Sequence, residues 1–107
     1  MPSLTMEELN FLQQTKAFDL LFHTSESIVS TILSNMNGGH PAGTWMKEGD
    51  EHHIKKAETH TLQFNLAGYR LTDEDLEHAL CRLAMALWCR KNGVLGDFGP
   101  DGKEYNG

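Results

Sequence analysis

Apolar residues recur along this chain three and four positions apart, and no stretch alternates long enough to read as a strand. The spacing predicts an all-α fold. Thr5 and Glu8 form a capping box, and Leu4 with Leu9 supplies the hydrophobic staple beside it. Leu9, Leu12, Ala17, Leu20 and Leu21 then make a stripe, widened by Phe11, Phe18 and Phe22. A face that wide predicts contact on two sides, one of them with a second subunit. His23-Thr24-Ser25 marks a kink or a fresh helix start, with Thr24 or Ser25 as cap. Ile28, Val29, Ile32, Leu33 and Met36 carry the stripe to Asn37-Gly38-Gly39, a stop signal.

Residues 37 to about 50 read as the longest inter-helix loop and contain His40, Trp45, Lys47 and Glu48. Loops of that length are often functional. Trp45 there either plugs the core or stacks on a ligand. The next helix is expected from Asp50 to near Ala67, with Gly68 at its end. Ile54, Ala57, Thr61 and Phe64 share a face, flanked by Leu62 and Leu66. His53, Ala57 and His60 follow one edge, with Lys55 and Lys56 nearby.

After a short turn, Thr72 with Asp75 resembles the first capping box, and Leu71 with Leu76 repeats the staple. This helix is expected to reach Lys91. Its core stripe reads Leu76, Ala79, Leu80, Leu83, Ala84 and Leu87, with Trp88 near the end and Asn92-Gly93 as the stop. The last two helices therefore form an antiparallel hairpin. Residues 1–93 read as a small helical bundle domain, likewise oligomeric. Residues 94–107 read as a Gly-rich polar tail, either loose or docked on a neighbouring subunit through Val94, Leu95, Phe98 and Tyr105.

Length and charge narrow the function. A chain of 107 residues is one domain. A formal net charge of −6 argues against extended nucleic-acid contact, which needs a basic face, yet leaves room for one small anion. No run approaches the ~18 apolar residues of a membrane span. The opening MPSLTMEELN lacks a basic region followed by an apolar run, so no secretory signal and a cytoplasmic location are expected. Cys81 and Cys89 fall on one helix, about 12 Å apart along its axis, too far for a disulfide. Free, packed thiols are expected there.

The groups capable of chemistry gather between His60 and Arg82. Glu74, His78 and Arg82 repeat at four-residue spacing and share one side of a helix. His60 lies eight residues before Gly68 and His78 ten after it, so an antiparallel hairpin can bring them to one level. The bland reading is a boundary histidine facing a solvated row of charges. Of two functional readings, the first is a divalent metal held by His60, His78 and Glu74, with Asp75 or Glu58 as substitutes. In the second, a phosphate is held by His60, His78, Arg82 and Lys56, assisted by Lys47, while Trp45 or Tyr69 stacks on a base. P-loop, HExxH and CxxC patterns are absent, and so are the paired ExxE carboxylates of the MazG-type pyrophosphohydrolases.

Trp45 with Gly49, Thr59-His60, Gly68, Asp73-Glu74-Asp75 and His78-Ala79 resemble a family of small phage proteins, the dATP/dGTP diphosphohydrolase N-terminal type. The resemblance spans the second half of the chain. It departs at Thr59, where the family has Arg, and at Tyr69, where it has Glu. It implies a nucleotide-binding protein, as a metal-dependent purine deoxynucleotide hydrolase or, with those polar groups lost, as a binder. Two alternatives stand beside it. One is a non-enzymatic sponge for a nucleotide signal of host antiviral defence. The other is a protein-binding inhibitor or adaptor working through the first helix and the tail.

Overall fold

The structure, a computed structural model, describes residues 3–37, 43–68, 70–99 and 103–104. Among these residues it is all-α, with five helices in the order α1 (Met6–Gln14), α2 (Ala17–Asn37), α3 (Trp45–Glu48), α4 (Asp50–Ala67) and α5 (Asp73–Lys91). Among the described residues, no helix is long and apolar enough to cross a membrane.

The capping box forms as expected. The Glu8 amide donates to Thr5 Oγ1 at 3.1 Å, and the Thr5 amide donates to Glu8 Oε1 at 2.9 Å. The interruption that follows is displaced from its expected position. α2 runs unbroken through His23-Thr24-Ser25, and the chain breaks instead at Thr15-Lys16. The Thr15 hydroxyl donates to the Leu12 carbonyl at 3.1 Å, and Lys16 takes a left-handed φ of 61°. Thr is a poor helix interior residue because its hydroxyl competes for nearby carbonyls, which ends the helix here without a glycine.

α4 and α5 form the expected antiparallel hairpin and make the most extensive contact in the molecule; α2 leans on α5, and α1 on α2. Among the described residues the buried apolar side chains of the hairpin are mostly small: Ala57 on α4, and Ala79, Cys81, Ala86 and Cys89, with the longer Met85, on α5. That corrects the expected stripe. Ala79 belongs to the core, but Leu76, Leu83 and Leu87 are half-exposed. At 100° per residue the leucines centre roughly 135° around α5 from the buried set, and the alanine–cysteine face lets the two backbones approach closely. Leu76 instead borders α2, where with His23, Ser27, Asp73 and Glu77 it lines an open cavity of about 350 Å³.

The tail is joined to its own chain over 94–99. The amide of Asp50 donates to the Val94 carbonyl at 3.1 Å. The amides of Glu51 and His52 donate to the Gly96 carbonyl at 3.0 and 3.2 Å. These first-turn amides have no partner within α4, so the tail acts as its cap. Phe98 returns the bond, its amide reaching the Glu48 carbonyl at 2.8 Å. The approach is close enough to require Gly49, which holds φ 91° and faces the Gly96 carbonyl. Tyr105 lies outside the described residues.

Candidate functional site

Two polar clusters lie along the hairpin, one near each end. The cluster at the turn end is built on the Thr72 cap. The Asp75 amide donates to Thr72 Oγ1 at 3.2 Å, and the Thr72 hydroxyl donates to Asp75 Oδ2 at 2.7 Å. This fixes the carboxylate at the start of α5 and leaves Oδ1 to meet His60 Nδ1, from α4, at 3.2 Å. The hydroxyl hydrogen bond, then the one from His60, hold the Asp75 carboxyl below the usual carboxylate range. An ionised carboxylate only accepts, so His60 carries a proton on Nδ1. His78 stands edge-on to His60, ring centroids 5.0 Å apart. Both imidazoles are about one-third exposed or less, so a dissolved molecule can reach them.

The second cluster surrounds the start of α4. His53 is fully buried. Its Nε2–H donates to the Trp45 carbonyl at 2.7 Å, and its Nδ1 accepts from Arg82 Nη1 at 3.1 Å. Burial, above all, pushes its pKa below the ordinary histidine value, in keeping with a neutral ring that donates on one side and accepts on the other. His52 lies between two carboxylates, with Nε2 on Glu48 and Nδ1 on Asp97 at 2.8 Å. Lys55 Nζ donates to the other Asp97 oxygen at 2.8 Å. That bond is the main reason the Asp97 carboxyl sits below the usual range. Asp50 accepts from the Gly96 amide at 2.9 Å and from Arg90 Nε and Nη2 at 3.1 and 3.0 Å; its pKa is lowered chiefly by the Gly96 amide.

The predicted site residues divide between these clusters. His60 and His78 meet as their spacing from the turn implied. The carboxylate beside His60 is Asp75. Glu74 is largely exposed and reaches only 4.0 Å from His78. Arg82 turns to His53, and among the described residues nothing joins it to His60 or His78. Trp45 packs edge-on against Trp88, centroids 5.0 Å apart, and lies beside His53. His53 is seven residues before His60, or about 10 Å along α4, which separates Trp45 from the histidine pair. Lys47 is exposed at the end of α3, and Lys56 is partly exposed on α4. Tyr69 and His40 lie outside the described residues.

Imidazole and carboxylate are suitable donors for a divalent metal, but suitability is not convergence. Among the described residues, no three His, Cys, Asp or Glu side chains come together as a metal site. His60, Glu74 and His78 therefore do not form a ready cage. What the turn-end cluster offers is an oriented proton carrier. Asp75 fixes the His60 tautomer, leaving Nε2 free to accept a proton, and His78 stands beside it.

His52, His53, Asp50 and Asp97 escaped the sequence reading as a polar cluster. The only hint was the His53–Ala57–His60 edge, which placed His53 toward the hairpin interface. No family model matches the chain, and no curated protein or solved structure matches it.

Proposed function

We propose that this protein binds a small phosphorylated ligand of the nucleotide class at the turn end of the α4–α5 hairpin. The observation that carries the reading is the accessible His60–His78 pair, 5.0 Å between centroids, with Asp75 orienting His60. Imidazoles hydrogen-bond phosphate oxygens, and a histidine aligned by a carboxylate is suited to take a proton from water. In a hydrolase of this kind His60 is the general base, Asp75 its positioning residue and His78 a contact to the phosphate. The family resemblance makes purine deoxynucleotides the first class to try. Because the nearby carboxylates repel phosphate, a divalent cation belongs among the additives.

The test is mass spectrometry of the protein mixed with dATP, dGTP and cyclic dinucleotides, with and without a divalent metal. Release of a shortened nucleotide supports an enzyme; retention of an unaltered one supports a binder. Either effect should fall at least tenfold in His60→Ala and His78→Ala, with helix content unchanged. A protein that neither retains nor alters any of these compounds overturns the proposal.

A further inference from the structure

α2 is amphipathic in the wrong direction for a helix packed only within its own chain. Among its described side chains the more covered positions are Ala17, Thr24, Ser27, Ile28 and Thr31, and three of those five are hydroxyl residues. Its apolar side faces out. Phe18, Phe22 and Val29 are 44%, 64% and 57% exposed, with Leu21, Ile32 and Leu33 beside them. α1 adds no buried residue at all.

The exposed side has a repeat. Phe18, Phe22, Ser25, Val29 and Ile32 follow one another at steps of four, three, four and three. That averages about 3.5 residues, the spacing at which two helices keep one seam in mutual contact along their length. None of the five carries a charge. The surface area points the same way. A compact chain of 12.0 kDa exposes about 6,000 Å², whereas this one exposes 8201 Å².

We propose that α2 is a self-association helix, its Phe18–Ile32 seam packed against the same seam of a second copy. The flanking residues also set the direction. Asp19, Glu26 and Leu33 follow the seam on one side, and Leu21 and the partly covered Ile28 line the other. Parallel pairing sets the acidic flank of each copy against the apolar flank of its mate. Antiparallel pairing would set acid against acid. The parallel dimer is therefore favoured, and the two Ser25 side chains meet at its centre.

Sedimentation equilibrium on the full chain tests the association, and cysteine cross-linking tests the seam. Ser25→Cys and Ser30→Cys are compared under diamide, with the parent protein as control because Cys81 and Cys89 are buried. Ser30 is exposed but lies off the seam. The expected result is at least twice the chain mass at micromolar concentration, with covalent dimer from Ser25→Cys in several-fold excess over Ser30→Cys. A monomer at every concentration overturns the proposal, as does an oligomer in which Ser25→Cys links no better than Ser30→Cys. Neither readout depends on a nucleotide, so this inference and the proposed function stand or fall separately.

Discussion

The two halves of the molecule handle burial in opposite ways. In the hairpin and its tail, the buried groups include charged and polar side chains, each matched to a partner: Asp50 to Arg90, His52 to Asp97, His53 to Arg82. In the α1–α2 arm the apolar groups stay outside, and Thr31 is the buried side chain among the described positions. The hairpin is thus closed within one chain, while the arm exposes what a folded chain normally covers. Ordering its backbone costs roughly 1–2 kcal/mol per residue, and little apolar burial within the chain offsets that.

The sharpest way to break this contrast is at the contact between tail and hairpin. Gly49→Ala would put a Cβ against the Gly96 carbonyl at a φ that side chains rarely adopt. A loss of more than about 3 kcal/mol in urea unfolding is expected; an unchanged midpoint would mean that the tail is not the cap of α4. Asp97→Ala comes next. It strips buried His52 and exposed Lys55 of their shared carboxylate, and a loss of about 1–3 kcal/mol follows for the buried imidazole left without that partner.

Acidification gives a smaller, graded effect. The folded pKa of His53 is depressed, so the unfolded chain takes up its proton first as pH falls. Stability from that group is complete above about pH 6.5 and declines below it. The lowered Asp50 and Asp97 carboxyls add a second decline below about pH 4. Tm followed by circular dichroism from pH 8 to 3 should fall in these two stages, with the upper one diminished in His53→Gln. A Tm that rises on acidification contradicts the buried neutral ring. The smallest effect compares two caps: Thr72→Ala should cost about 1 kcal/mol of global stability, whereas Thr5→Ala should only raise amide exchange in α1. Equal global losses would place α1 in the same cooperative unit as the hairpin.

Much of the backbone was legible beforehand. The Thr5 and Thr72 caps, the Asp50 and Lys91 limits and the hairpin all follow from local chemistry, since capping hydroxyls and glycine stops act within four residues. The break at Thr15-Lys16 did not, because lysine carries no signature for a left-handed turn. Periodicity also showed that α5 had apolar stripes without telling which one would meet α4. The leucines looked like core, but close approach of the two helices favoured Ala79, Cys81 and Ala86. His60 and His78 were found because both could be counted from one turn. Asp97 was not, since it sits in a tail that reads as solvent-facing, more than forty residues along the chain from His52 and Lys55.

The two cysteines give the hairpin a built-in stopwatch. Cys81 and Cys89 are almost wholly enclosed, and burial raises both thiols above their ordinary pKa. While α4 and α5 stay together a maleimide lacks access, and the buried thiols supply less of the thiolate that would add to it. Alkylation must therefore wait for the helices to part, and the rate at which label accumulates on the native protein measures how often they do.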